Sequence, residues 1–355
     1  MALLSLVPVG LKKLMRRLHE LCVIEGLKIN YKKTKVLVFG RRYVNHRWSM
    51  DNHQLEQTRV FKYLGVIFSD TLSWKTHLQY TKQSAIKTVG AILKFHRSTG
   101  GNLVTPALKI FEAKVIPQVL YGALIWGWDT KAISSLETIQ TDFLRRLLNL
   151  PPGTSSAMLR AETGLPPLTT HIHLALLRFM RSTVHLQNKD LLNLYLTHSS
   201  TQKSWGARLE NLLHRYHLTI HQFNTIGSDK KLREAVIHHS QYLDRLYLLN
   251  SRSAPWYWRF KTDHSRSPYL TTYMPSNLRF AFTSLRFFSL PNAEREGRIA
   301  KVPKEQRYCI CGYQGVEDLP HILLDCPIYH NPRMNLTSRW PDLNESAQLP
   351  IKYYS

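Results

Sequence analysis

The sequence predicts a mainly α-helical protein with a small α+β segment at its N-terminus. After residue 70, apolar residues recur at the three- and four-residue spacing of a helix face over most of the chain. Before residue 70, short runs of valine, isoleucine and phenylalanine bounded by glycine indicate β-strands. A third observation concerns the C-terminal region, where three of the four cysteines lie with one histidine within 18 residues.

The charge of the chain indicates a polyanionic partner. It has 48 Lys and Arg against 24 Asp and Glu, a net charge of +24. Such a field attracts nucleic acid or an anionic membrane surface. No apolar run approaches the roughly 18 residues of a membrane span, and residues 1–9 lack the basic start and cleavage site of a signal peptide. We therefore expect a nucleic-acid partner, no membrane association and an intracellular location in the nucleus, the cytoplasm or both.

Residues 1–70 predict a helix followed by strands. Leucines and a methionine lie on one face over residues 9–25, and Gly26 is placed to end that helix. Taken alone, this basic amphipathic helix could lie on a membrane surface. The strands predicted next, over 27–30, 36–39 and a hairpin at 61–68, favour a helix packed on a sheet instead.

Residues 71–190 predict a helical bundle. The first helix runs over 74–96 and ends at a polar, glycine-containing break at 98–102. A second segment, 103–125, should kink or split at Pro117. Three further helices follow over 131–150, from Thr154 or Ser155 to Gly164, and over 168–187.

Residues 191–300 are basic and aromatic. The stretch 255–261 alternates aromatic and cationic side chains, which could stack on bases or pack inside the fold. His217 and His221 could share a helix face but have no partner for a metal site. A helix over 277–290, capped by Ser276, should turn some side chains inward and others outward. The inward set is Phe280, Leu285 and Phe288, and the outward set is Arg279 and Arg286.

Cys309, Cys311, His321 and Cys326 have the residue types of a closed, four-ligand structural zinc site. Chance crowding and a disulfide are the alternatives, although cysteines one residue apart pair only with strain. Residues five apart lie about 140° apart around an ideal helix. His321 and Cys326 can therefore share one ion only if the helix between them stops or unwinds. The residues after Tyr329 predict a partly ordered tail.

Several segments resemble the reverse transcriptases of non-LTR (LINE-type) retrotransposons. They are GLKINYKKTKVLVFG, FKYLGVIFSD, the Trp74–His77 pair, IPQVLYGALIWG and the stretch from QTDFLRRLLNL to GLPPL. The resemblance covers roughly residues 1–185 and 276–335. It implies the end of the palm at 1–70, a helical thumb at 71–190, a basic helical connector at 191–300, and a zinc knuckle with a tail at 301–355.

In that family two adjacent aspartates before the first helix bind catalytic Mg²⁺, and nucleotidyl transfer needs such metal-bridging carboxylates. No acidic pair follows an apolar strand within residues 1–70, so we expect no catalytic residue and no Mg²⁺ site in this chain. The Tyr63-Leu64-Gly65 hairpin would match the part of the palm that holds the primer end, although a plain hairpin explains the same pattern.

The expected function is zinc-containing, sequence-tolerant binding of RNA or an RNA/DNA duplex, without polymerase activity. The residues expected at phosphates are Lys33, Lys75, Lys82, Lys87, Lys94, Arg259, Arg279, Arg286 and Arg307. Lys33 matches a palm lysine near the triphosphate, but a solvated turn is the alternative. Other hypotheses are an active fragment that works with a separate palm, a transposon remnant or truncated gene product without its own function, and a helical protein-interaction scaffold. The sequence identifies no protein partner.

Overall fold

A computed structural model describes residues 2–40, 46–185, 205–251, 257, 261–290 and 292–339. The expected fold class is confirmed: helices dominate, and strands lie near the N-terminus. In the described part of the chain, no helix combines the length and apolar character needed to cross a bilayer.

The N-terminal segment is one helix on a small sheet. Helix α1 is followed by strands β1 to β3, in the order β1-β3-β2, with β1 parallel and β2 antiparallel to β3. Strands β4 and β5 form a separate antiparallel hairpin. The bounds are α1 Pro8–Ile24, β1 Lys35–Leu37, β2 Trp48–Met50, β3 His53–Thr58, β4 Val60–Tyr63 and β5 Val66–Ser69.

A small core holds this segment together. Met15 of α1 packs with Val36, Trp48, Met50 and Leu55 from the three strands, and all five are buried. Strands β2 and β3 were not predicted, because their sequences, WSM and HQLEQT, contain few β-branched residues. The strand expected at 27–30 is wrong, since this stretch has no regular structure.

The helical body begins with α2, which packs against α3, α4 and α7. Its expected helices are present. Their bounds are α2 Lys75–Ser98, α3 Val104–Ile110, α4 Ile116–Leu120, α5 Ala123–Trp126, α6 Thr130–Ser134, α7 Glu137–Leu147, α8 Ser156–Thr163 and α9 Leu168–His185.

Pro117 interrupts the second helical segment, as expected. A π-helical turn over Phe111–Val115 joins α3 to α4. Proline lacks an N–H and crowds the carbonyl four residues before it, so the turn ahead of it widens. Leu120 then ends α4, and Gly122 (φ +70°) precedes the short α5.

Three more helices follow residues 186–204, which lie outside the described chain: α10 Trp205–Arg215, α11 Ile220–Thr225 and α12 Asp229–Leu249. Helix α12 packs on α8 and α9. One hydrophobic core runs from Leu78 to Phe287 and includes fully buried Trp126, Phe111 and Phe143. His217 (φ +52°) lies between α10 and α11, so it does not share a helix with His221.

The C-terminal part contains α13 Ser276–Arg286, α14 Ala293–Ile299 and α15 His330–Arg339, with a π-helical turn at His321–Asp325. Ser276 is the first residue of α13 and does not cap it; Pro275 precedes it. The partly ordered tail expected after Tyr329 is wrong for residues 330–339, which are helical. Residues 340–355 lie outside the described chain.

Candidate metal centre

The four candidate ligands come together at one point. Their ligand atoms all lie within 4.8 Å of one another. Cys309 Sγ and Cys326 Sγ are 3.8 Å apart, and Cys311 Sγ lies 3.3 Å from His321 Nε2. Tetrahedral Zn²⁺ with Zn–S bonds of about 2.3 Å separates two sulfur ligands by about 3.8 Å. The donor set and its spacing therefore fit a single zinc ion.

The alternative of a disulfide is not realised. All four cysteines are free, and a separation of 3.8 Å between the Cys309 and Cys326 sulfurs is far beyond the roughly 2.05 Å of an S–S bond.

The first two ligands sit in a tight turn. Tyr308 and Val316 form an antiparallel bridge below it. The Gly312 N–H donates to the Cys309 carbonyl at 3.2 Å, and Gly312 has φ +87°. This left-handed conformation favours glycine. It turns the chain so that Cys309 and Cys311 face one point while Ile310 is 91% exposed.

His321 and Cys326 can face one point because the turn between them is not α-helical. The Cys326 N–H donates to the His321 carbonyl at 2.7 Å, a bond across five residues. Residues five apart become neighbours in such a π-type turn, unlike in an α-helix. Cys326 is then extended (φ −61°, ψ 122°), which ends the turn.

Neighbouring side chains hold the ligands in place. Tyr313 stacks on His321 with ring centroids 4.3 Å apart. Asp318 Oδ1 accepts from the His321 N–H at 2.9 Å, and Arg333 donates to the Cys326 carbonyl at 2.6 Å. Such second contacts orient metal ligands.

Burial disfavours a bare thiolate at Cys309, because it raises the pKa of this thiol to about 12. A bound Zn²⁺ would offset that cost, because a coordinating cysteine releases its proton to solvent and the metal stabilises the thiolate. The described residues thus form a site that could hold a metal ion.

The residues expected at phosphates fall into two groups. Lys33, Lys75, Lys87 and Lys94 are exposed, and Lys82 is half-buried. Four of these five lie on α2. Arg259 and most of the stretch 255–261 lie outside the described residues; Tyr257 and Lys261 of that stretch are buried.

The second group consists of arginines with intramolecular partners. The outward orientation expected for Arg279 is wrong: its side chain is 5% exposed and donates to the carbonyls of Gly101, Asn102 and Met274. Arg286 is also not free, because it binds buried Glu162. Phe280, expected inward, is instead 44% exposed.

Arg307 also binds acceptors within the protein. Its guanidinium donates to the Val302 carbonyl at 2.7 and 3.0 Å and to the Glu294 carbonyl at 3.4 Å. Its stem lies over Gly297, where a Cβ would come within 2.7 Å of Arg307 Cγ. Sequence alone could not separate these arginines from exposed ones, since both kinds occur on amphipathic segments.

Sequence reasoning missed Glu162, Glu317 and Tyr313 as organising residues. Glu162 is fully buried, and Tyr257 Oη donates to it at 2.6 Å. The sequence feature that could have indicated this role is the position of Glu162 in a short helix, SAMLRAET, that also carries alanine, methionine and leucine.

Comparison with known proteins gives one informative similarity. No protein family matches the chain, and no solved structure was found to match it. Over 117 residues the chain is 27% identical to the 115 kDa protein in the type-1 retrotransposable element R1DM of Drosophila melanogaster. The match covers 32% of this chain and 12% of that relative. This supports a transposon-related origin.

Proposed function

We propose that this chain is a nucleic-acid-binding part of a non-LTR retrotransposon reverse transcriptase. It binds RNA or an RNA/DNA duplex with little sequence preference and carries no polymerase activity of its own. The sequence resemblance, the similarity to a retrotransposon protein and the net charge of +24 support this function. Under the proposal, residues 1–70 are the end of the palm, 71–190 the thumb, 191–300 the connector and 301–355 the zinc knuckle and tail.

The observation that carries the proposal is the exposed face of α2. The helix has 24 residues, so it is about 36 Å long. It contains four lysines and Arg97 but no acidic residue. Soluble protein surfaces commonly intersperse both signs of charge, so an exposed helix face of this length with cations and no carboxylate favours binding to phosphates.

The lysines form two rows along this face. Lys75 and Lys82 lie within about 20° of each other around the helix axis, as do Lys87 and Lys94, and the rows are about 100–140° apart. Between them lie uncharged Gln79, Gln83 and Gly90, with Arg97 on the same line in the last turn of the helix. Two cationic rows on either side of a mostly uncharged line match a groove flanked by two phosphate backbones. The minor groove of an A-form duplex is wide and shallow enough to accept such a face.

Under the proposal, the zinc module is a second part of the chain that contacts nucleic acid. Zinc binding contributes on the order of 10–16 kcal/mol to folding of such small units. Cys309, Cys311, His321 and Cys326 would hold the ion, which supplies a structural cross-link and no redox or hydrolytic chemistry. Exposed Tyr308 and Tyr313 lie on this module.

Binding is tested by titrating a fluorescent RNA/DNA duplex at several salt concentrations. If about six phosphates are contacted, log K should fall against log salt with a slope of about −5. Replacing Lys75, Lys82, Lys87 and Lys94 with Gln should reduce that slope by about 3 to 4.

The control removes four exposed cations from another helix: Lys12, Lys13, Arg16 and Arg17 of α1, each replaced with Gln. This variant has the same net charge as the α2 variant. Equal losses for both would assign binding to general charge and not to α2. A slope near zero for the wild type would refute nucleic-acid binding itself.

The absence of polymerase activity is tested by primer extension with Mg²⁺ and deoxynucleotides. The isolated chain should incorporate no nucleotide. Incorporation would support the rival hypothesis of an active fragment.

A protein-interaction scaffold is the second candidate. It is favoured by apolar side chains on α1 and just after it: Val23, Ile24 and Leu27 are 62–81% exposed. A chain that ignores polyanions but self-associates or binds protein would support this function instead.

A further inference from the structure

Glu317 connects the metal site to helix α14. Its Oε1 lies 3.4 Å from Cys309 Sγ, and its Oε2 accepts from the Ala293 N–H at 2.6 Å. Ala293 is the first residue of α14. The Glu317 carboxylate therefore touches both a candidate ligand and the start of a helix 24 residues earlier in the chain.

The backbone around Glu317 repeats this connection. The Glu317 N–H donates to the Arg307 carbonyl at 2.8 Å, and its own carbonyl accepts from the Glu294 N–H at 3.3 Å. The Arg307 side chain in turn donates to the carbonyl of Glu294, in the first turn of α14, and to the carbonyl of Val302, which follows the helix. Helix α14 is thus held by Arg307, which precedes the turn that carries Cys309 and Cys311, and by Glu317, which follows this turn.

We infer that Glu317 is a positioning residue through which metal binding at the four-ligand site also folds α14. The metal-dependent unit then spans residues 292–339 and not only the ligand-bearing stretch 309–326. The inference rests on the proposed zinc site but adds a residue and a helix to it.

Helix α14 depends on Glu317 because few other interactions stabilise it. Helix α14 has seven residues, too few to be stable alone in water, and only Gly297 of it is buried. Its first N–H groups need acceptors, and Asn292 Oδ1 provides one for the Arg295 N–H. Glu317 provides the acceptor that comes from outside the helix. Its position depends on the turn that the metal closes.

The experiment uses the full chain loaded with Zn²⁺. Zinc affinity is measured by competition with a chromophoric chelator, and amide exchange of residues 293–299 by mass spectrometry. Glu317→Ala should leave zinc bound, because a zinc-bound Cys309 thiolate has no proton to donate to the Glu317 carboxylate. It should speed exchange in α14, because the Ala293 N–H loses its acceptor.

Two variants separate the causes. Glu317→Gln keeps a carbonyl oxygen for the Ala293 N–H, so it should restore slow exchange in α14. Glu305→Ala removes an exposed acid of the same module and should match the wild type in both measurements.

The inference is overturned if α14 exchanges as slowly in zinc-loaded Glu317→Ala as in the wild type. It is equally overturned if Glu317→Gln protects α14 no better than Glu317→Ala. A wild-type chain that binds no zinc would remove the zinc site itself, whereas zinc binding with an inert Glu317 would remove only this role.

Discussion

At the scale of single residues, buried charges fix how the helices of the body pack. Glu162 of α8 is fully buried and receives two hydrogen bonds from Arg286 of α13, at 2.6 and 3.1 Å. Arg160, on the same helix, binds Asp244 of α12 in the same two-bond manner, at 2.5 and 2.7 Å. Helix α8 is thereby joined to two distant parts of the chain.

Arg286→Ala should lower the free energy of unfolding by about 3–5 kcal/mol, because it leaves the Glu162 carboxylate buried without its cation. Urea unfolding followed by circular dichroism measures this loss. Exposed Arg97 of α2 is the control, and Arg97→Ala should change stability by less than about 0.5 kcal/mol. Equal effects of the two substitutions would contradict the role of the pair.

The wild-type chain should bind one zinc ion, and Cys326→Ser should abolish that binding. Residues 309–330, together with α14, should then lose amide protection while the helices α2 to α9 keep theirs. Metal analysis and hydrogen exchange measure the two effects. Cys22 of α1 is free and remote in sequence, so Cys22→Ser should keep one zinc per chain. Retained zinc in Cys326→Ser would disprove the ligand set.

At the scale of elements, two helices depart from regular geometry for different reasons. Pro117 forces a π-turn into the α3–α4 segment. No proline lies inside the π-turn at His321–Asp325, where Pro320 precedes and Pro327 follows it. That turn instead brings His321 and Cys326 to one point, as the metal site requires.

Gly90 is the second feature at this scale. It lies in the middle of α2 on the exposed side, and a Cβ there would meet nothing within 4 Å. Glycine inside a helix costs about 1 kcal/mol relative to alanine, and nothing in the fold requires it here. Under the proposed function, a duplex that approaches this face closely would explain the glycine.

Gly90→Leu should therefore have opposite effects on stability and binding. The melting temperature should rise, because leucine is a better helix former. Affinity for an RNA/DNA duplex should fall by roughly tenfold or more as the side chain obstructs the groove, measured by fluorescence anisotropy. Ala91→Leu adds bulk at the edge of the same face and should bind like the wild type. Unchanged duplex binding by Gly90→Leu would disprove contact at this position.

At the scale of the whole molecule, pH acts through buried histidines of the helical body. His173 of α9 is buried, with Nδ1 2.7 Å from Tyr216 Oη, and burial lowers its pKa to about 4. Burial also lowers the pKa of His171 to about 4. The unfolded chain binds these protons at about pH 6.5.

The folded state should therefore lose stability as the pH falls from about 6.5 to about 4, and be insensitive to these two groups above pH 6.5. Each histidine contributes on the order of 1–3 kcal/mol over that window. Urea unfolding at pH 7.5, 6 and 5 measures it. His173→Gln should flatten the dependence relative to the wild type, and parallel curves would contradict the assignment.

The sequence determined the helical class, most helix positions and the identity of the candidate metal ligands. These follow from local causes. Apolar spacing over α2 and α9 defines these helices, and Gly26 and Gly164 mark the ends of α1 and α8. Cysteine with histidine in a short stretch limits the chemistry of the site to few possibilities. The demand that the helix unwind between His321 and Cys326 was also contained in their spacing.

Only the tertiary structure decided which cations are free. Arg279, Arg286 and Arg307 look like surface residues in an amphipathic pattern, yet each is bound to an acceptor that is distant in sequence or on a neighbouring turn. Glu162 lies 124 residues from Arg286, and Gly101 lies 178 residues from Arg279. A charged side chain pairs with the acceptor that the fold places within about 3 Å of it, and the neighbouring sequence does not indicate which residue that is.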